Sequence, residues 1–282
     1  MQNNPLTDLQ KQRNESSVSS WDIAQPHRQQ VTSHLLQNYN PANPRLCILG
    51  AGNCNDIDLA TLAGTYESID LVDIDRSAVE KGVTNQRLEE SASLTIHGEL
   101  DVTGVWEQLG SLNEAADKSD AAIDELIKNS NEWAGLEIPG EYGTVASTCL
   151  LSQLIDGVHK GVGVEHERNL ELVGAIRQRH FQLLYDLVCP GGTAIMITDF
   201  VSSETAPDLP ILSGRALTSR LGQMINDRNF FTGLNPMRLT ALLHEPEFLS
   251  GPVTDQVCAS PWLWNLGPRH YAVTALRFRK AM

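Results

Sequence analysis

Two rhythms of apolar residues alternate along this chain. Short runs rich in aliphatic and β-branched side chains, at residues 45–49, 69–72, 94–97, 142–148 and 193–198, have the length of buried strands. Between them lie stretches with helical character: 21–39, with Val31, Leu35 and Leu36 on one face and Pro41 and Pro44 closing it, then 76–90, 104–130 and 167–187. Strands separated by helices predict a mostly parallel sheet with helices on both faces. After residue 200 the rhythm breaks into short helices interrupted by Pro207, Pro210, Gly214, Gly233 and Pro236. The chain closes on two strands, 257–264 and 270–279, flanking Asn265-Leu266-Gly267-Pro268, a hairpin signal. Trp262 and Trp264 lie on the first of these, one expected in the core and the other at solvent, a partner or substrate.

The first strand runs into Gly50-Ala51-Gly52-Asn53-Cys54-Asn55-Asp56, and the second ends at Asp73. Strand, glycine loop, helix and a second strand ending in a carboxylate form the pattern of a nucleoside-binding βαβ unit. Gly50 and Gly52 permit positive φ and close approach of a ligand to backbone, and Asn55 or Asp56 is placed to cap the next helix. Asp73 is placed to accept hydrogen bonds from ribose hydroxyls; its alternative is a cap on the helix that follows. A pyrophosphate fits poorly, because Asn55 stands where a third glycine would allow close packing and Asp56 and Asp58 bring negative charge to the same place. The loop suits a cationic ligand without phosphate.

At this point the chain resembles the class I S-adenosylmethionine-dependent methyltransferases, from about Arg45 to the C-terminus. Four segments carry the resemblance: Leu49-Gly50-Ala51-Gly52-Asn53, Leu71-Val72-Asp73-Ile74-Asp75, His97-Gly98-Glu99-Leu100-Asp101-Val102, and the stretch from Leu187 through Pro190-Gly191-Gly192 to Ile197. It implies a Rossmann-like doubly wound α/β sheet, mostly parallel with a C-terminal antiparallel β-hairpin. It also implies S-adenosyl-L-methionine as cofactor, held by Gly50, Ala51, Gly52, Asn53, Asp73 and Ile74, with Asp101 on the adenine amine and Val102 beside the ring. Ser147 and Thr148, at the end of the fourth strand, then face the methyl donor, with Ser152 and Gln153 in the turn beyond. Asp199, ending the fifth strand, is a candidate base or substrate-orienting carboxylate. Trp21, His27 and Arg28 are candidates for a lid, and Phe230 and Phe231 for a substrate-pocket lining. The family often has an acid two residues before the first glycine, where this chain has Ile48. Asn53, Asn55 or Asp56 must then take its contact with the amino-acid end of the cofactor.

With 282 residues the chain can bury one sizeable core. Residues 1–20, rich in Gln, Asn and Ser, are expected to be a flexible arm. Residues 21–282 are expected to form one domain: an N-terminal helical lid (21–44), a cofactor-binding core (45–200), a substrate-side insertion (201–250) and the C-terminal hairpin (251–282). A formal charge of −14 argues against a nucleic-acid partner, since phosphate binding draws on clustered Lys and Arg. No apolar run approaches the roughly 20 residues of a membrane span. The five cysteines, without paired spacing, read as reduced residues of a cytoplasmic protein. Glu114, Asp117, Asp120, Asp124 and Glu125 read as a solvated face, and no metal site is expected. A methyltransferase acting on a small-molecule acceptor is the leading expectation. A nicotinamide or flavin oxidoreductase and a non-catalytic binding module stand beside it. Neither oligomeric state nor the atom methylated can be read from these motifs.

Overall fold

The computed structural model describes residues 4–114 and 118–282. One sheet organises the chain. Its parallel strands are β1 (Arg45–Leu49), β2 (Ser68–Val72), β3 (Leu94–His97), β4 (Tyr142–Thr148) and β5 (Val188–Ser202). β8 (His270–Lys280) pairs antiparallel with β5, and β6 (Val253–Cys258) and β7 (Trp262–Asn265) both pair with β8. The strand order is β3-β2-β1-β4-β5-β8-β6, so the direction of winding reverses between β1 and β4. This is a Rossmann-like, doubly wound α/β fold, and the crevice outside the β1 and β4 carboxyl ends is where such sheets bind ligands.

The helices divide between the two faces. α2 (Gln25–Gln37), α3 (Leu59–Ala63) and α4 (Arg76–Asn85) cover one; their core joins Val31, Leu35, Leu59, Leu62 and Val79 to Ile48, Ile69 and Ile195 of the strands. α5 (Trp106–Glu114), α6 (Asp120–Glu132), α7 (Leu151–Val162) and α8 (Asn169–Leu187) cover the other, with Trp106, Leu109, Val158 and Phe181 packed on Leu49, Val145 and Met196. α9 (Gly214–Asn226) and α10 (Pro236–Leu242) extend that second core through Leu217, Leu221 and Leu239. β4 is buried along its whole length, as a central parallel strand covered on both faces must be.

The structure departs from the expected elements in several places. Residues 5–17, expected within a flexible arm, form α1 (Pro5–Ser17), capped by Asn4, whose side chain accepts from the Leu6 and Thr7 amides. Its surface is almost wholly polar, with only Leu6 and Gln10 buried, so no apolar periodicity announced it. The acidic stretch at 104–130 is two helices rather than one; Asp117 lies outside the described residues. The Pro190-Gly191-Gly192 turn is absorbed into β5, whose register with β4 shifts there. Asp58 caps α3, in place of Asn55 or Asp56, and Asp75 caps α4, which leaves Asp73 unclaimed by either helix. Among the described residues no helix is long and apolar enough to cross a membrane.

α4 presses on the glycine loop at Gly82, where a Cβ would overlap the Asn53 carbonyl and crowd Cys54. Close helix-to-loop packing is thus supplied from α4, compensating for the missing third glycine of the loop. Gly82→Ala is expected to destabilise the protein by roughly 1–3 kcal/mol through overpacking, read as a lower urea midpoint at unchanged slope.

Candidate cofactor cleft

The cleft forms where the loops leaving β1 and β4 meet. Gly50 has φ +76 and its missing Cβ faces Leu150 at 2.9 Å; any side chain there would push the two loops apart. Thr148 fastens the junction by donating Oγ1 to the Gly50 carbonyl at 2.9 Å. The β2 loop is tied in by Asp73, whose two oxygens accept the Gly52 amide at 2.8 Å and the Asp75 amide at 2.9 Å. Cys149, with φ +47, turns the chain from β4 into α7, a left-handed conformation uncommon for a residue with a side chain.

Gly50, Gly52, Asp73, Ile74, Asp101, Val102 and Gln153, all expected at the site, line this cleft. Leu100, Trp106, Leu150 and Leu154 complete an apolar wall, and Gln10 and Asn14 reach in from α1. Those two lay in the supposed arm; the only local signal for them was the Asn4-Pro5 helix start. The wall carries two carboxylates and, among the described residues, no Lys, Arg or His. Asp101 spends both oxygens on its own loop, accepting from Thr103 at 2.7 Å (amide) and 2.6 Å (hydroxyl) and from the Trp106 amide at 2.9 Å. These bonds shape the wall and hold the start of α5.

Other expected residues are placed differently. Ser147 is fully buried on the α8 side, hydrogen-bonded to His180 at 2.8 Å, because the strand's alternation turns it away from the cleft. Ala51 is buried in the core beneath the loop, and Thr148 braces the loop from behind. Trp21, His27 and Arg28 form an anchor, not a lid. Arg28 lies 3.5 Å from the centre of the Trp21 ring and donates to the Trp21 and Asn55 carbonyls at 2.9 and 2.8 Å. His27 is buried; its Nδ1 accepts the Trp262 Nε1–H at 2.9 Å and its ring stacks on Trp264 at 4.6 Å. Trp262 and Trp264, two residues apart on β7, therefore share one face. Phe230 and Phe231 pack against the core under α9, with Phe231 edge-on to Tyr271 at 6.3 Å, and do not line the cleft.

Three carboxylates at this end of the sheet lack a cationic partner: among the described residues, none pairs with a Lys or Arg. Burial pushes Asp56 up to about 7, against its own backbone amide and Arg28. Burial likewise pushes Asp73 up to about 6, against the Asp75 and Gly52 amides. Asp199 also rises to about 6 by burial, opposed chiefly by the Ser152 hydroxyl, which donates to it at 2.6 Å. His27 approaches Asp56 at 4.0 Å but brings no charge, since burial and then Arg28 drive its pKa down to about 3. Asn53 donates its amide nitrogen to α1 while its Oδ1 is buried without a partner. Three carboxyls raised by burial thus lie beside an apolar slot.

No family model and no curated protein matches the chain. Among solved structures it is similar to the N-methyltransferase NodS from Bradyrhizobium japonicum WM9 in complex with S-adenosyl-l-homocysteine, at 10% identity over 97% of this chain and 99% of that one, TM-score 0.47. It is also similar to the methyltransferase domain of bacterial CtHen1-C (12% identity, 93% and 100% covered, TM-score 0.46). A third is magnesium protoporphyrin IX methyltransferase from Synechocystis PCC 6803 (11%, 90% and 84%, TM-score 0.40). These are likenesses in the path of the chain.

The raised carboxyls set a pH dependence. Below about pH 4 they are neutral in both folded and unfolded chains. From there to about pH 6–7 the folded state holds more protons, so stability falls as pH rises, by up to about 1.4 kcal/mol per pH unit for each group. Asp56→Asn is expected to match the parent protein near pH 4 and to exceed its melting temperature at pH 8; a difference constant across that range would contradict the assignment.

Proposed function

We propose that the cleft binds S-adenosyl-L-methionine and that the chain transfers its methyl group to a small-molecule acceptor. The observation that carries this reading is a cleft at the β1/β4 switch point that joins the glycine loop, Asp73 and an apolar wall, and whose lining offers carboxylates and, among the described residues, no basic side chain. A cationic nucleoside suits such a wall, whereas the pyrophosphate of a dinucleotide would meet like charge. When bound, the cofactor supplies a methyl group already activated by its sulfonium.

The residues divide the work of holding it. Asp73 is placed for the ribose hydroxyls, with Gly50 and Gly52 offering backbone. Ile74, Leu100, Val102 and Trp106 provide the apolar walls that a base ring requires. Asn53 Oδ1 and Asp56 are the groups to receive the α-ammonium of its amino-acid end, taking the part of the acid replaced by Ile48. On the acceptor side, Asp199 is fixed by Ser152 and is suited to orient an acceptor and to take its proton where one is lost. Alignment and exclusion of water are the main demands of such a displacement, so a triad is not required.

Calorimetric titration with S-adenosylmethionine, S-adenosylhomocysteine and NAD tests the reading. The first two are expected to bind and NAD to fail, with binding lost in Asp73→Ala. Because cation binding favours ionised Asp56 and Asp73, affinity for S-adenosylmethionine is expected to tighten from pH 5 to pH 8, by at most about tenfold per unit for each linked group, with protons released on binding. Preference for NAD, or affinity independent of pH, would count against it.

A further inference from the structure

His27 sits where three parts of the fold meet. α2 carries it, β7 encloses its ring, and its remaining edge faces the loops that leave β1 and β4. The residue is 1% exposed. Its ring stacks on Trp264, 4.6 Å between centres and 17° between planes, and lies tilted against Trp262 at 6.0 Å, so two tryptophans fix the plane of the imidazole.

Trp262 also decides where the ring carries its proton. An indole N–H donates and cannot accept, and that of Trp262 stands 2.9 Å from His27 Nδ1. Nδ1 therefore presents its lone pair, and the hydrogen is on Nε2. An imidazolium, or the other tautomer, would set two N–H groups head to head in a buried place. Burial and the neighbouring Arg28 act in the same direction and bring the pKa down to about 3.

The Nε2–H so fixed has no good acceptor. It lies between Asp56 of the glycine loop, whose Oδ2 is 4.0 Å away, and Cys149 of the turn after β4, whose Sγ is also 4.0 Å away. The first distance is too long for a hydrogen bond and the second is at the limit for sulfur. A buried donor so weakly satisfied is rare where packing is the only task. The charged or titratable groups around it are Arg28 on its own helix, Asp56 with Asp73 acting on it from the β2 loop, and Cys149 with Asp199 acting on it from β5. β7 adds none, being Trp262-Leu263-Trp264-Asn265. Arg28 donates to the Trp21 and Asn55 carbonyls and, among the described residues, forms no ion pair.

We propose that Trp262 holds His27 as the Nε2–H tautomer and that His27 thereby positions Asp56: it offers the carboxylate a neutral donor, steadying it to receive the α-ammonium of the cofactor without adding a positive charge that would compete for it. Charge on Asp56 draws Nε2–H from sulfur to oxygen, a closure of about 1 Å to reach hydrogen-bond length. What Asp56 receives rests on the cofactor reading; the tautomer and the hold on Asp56 do not. The C-terminal hairpin, absent from the cleft lining, thus reaches the site through one indole.

Nitrogen NMR of the full-length, histidine-labelled protein reads the tautomer, and carboxyl-carbon NMR reads the titration of Asp56. In the parent chain His27 is expected to show a protonated Nε2 and a bare Nδ1 from about pH 5 to pH 8. His27→Leu is expected to move the Asp56 titration to higher pH and to weaken S-adenosylmethionine binding several-fold in calorimetry. His27→Gln, which brings an N–H to the place of Nε2, is expected to recover most of both. Trp262→Phe keeps the imidazole and frees Nδ1; it is expected to show a mixture of tautomers and a smaller shift of Asp56, and it serves should His27→Leu fail to fold. A bare Nε2 or a charged ring in the parent, an unchanged tautomer in Trp262→Phe, or a parental Asp56 titration in His27→Leu would each overturn the proposal. Equal losses in the Leu and Gln variants would reduce His27 to packing and overturn it as well. The expected tautomer and Asp56 shifts, with no binding of S-adenosylmethionine to any chain, would uphold the role of His27 and sink the cofactor assignment instead.

Discussion

The carboxylate of Asp73 is the constraint on which the cleft depends. One oxygen holds the amide of Gly52 and the other that of Asp75, so a single side chain joins the loop leaving β1 to the loop leaving β2. Asp75 is thereby presented to cap α4, and α4 in turn carries Gly82 against the Asn53 carbonyl. The loop is clamped from below by Asp73, from the side by Gly82 and across the switch point by Thr148. Such a loop presents bare backbone in a fixed shape, which is what a site must do to recognise a small ligand without reorganising.

That clamp has an electrostatic cost. Asp73 is anionic, partly buried and without a cationic partner, and Asp56 and Asp199 repeat the condition on either side of Cys149. A protein assembled only for stability would pair or remove such charges, because an uncompensated buried carboxylate weakens the fold. Asp56 and Asp73 follow β1 and β2, and Asp199 stands in β5 just past its pairing with β4, so all three lie at the end of the sheet where an open α/β fold takes its ligand. The histidine nearest them is kept neutral by burial and by Arg28, so it brings no positive charge to offset theirs.

The two N-terminal segments divide an opposite pair of tasks. α2 and its entry, with Arg28 over Trp21 and His27 between two tryptophans of β7, knit the front of the molecule to the C-terminal hairpin. α1 contributes hardly any apolar surface and rests on the cleft through hydrogen bonds and one ion pair. The anchored segment and the lightly held helix meet at Val18–Ser20.

Much of this was legible in the sequence. β1, β3 and β4 begin and end where the sequence pattern places them, since short strands bounded by turns and helices leave little choice of limits. The glycine loop and Asp73 were legible because both are local solutions to a local problem, a chain turning tightly at a strand end. The sequence could not show that α1 is a helix over the site, because a polar helix carries no periodic apolar signal. Nor could it show that Ser147 turns away from the crevice while Ser152 turns to Asp199. Strand alternation and the first turn of α7 send one hydroxyl to His180 and the other to Asp199. Which carboxylates cap a helix and which join two loops was equally hidden, for Asp58 and Asp75 look like Asp73 until their partners are known. The sequence by itself determined the alternation of elements and the ligand-facing loop, whose causes lie within a few residues. The tertiary structure alone decided the cover, the anchor and the distribution of charge, because those rest on pairs such as Arg13 with Asp156 and Trp262 with His27, which only the folded sheet brings together.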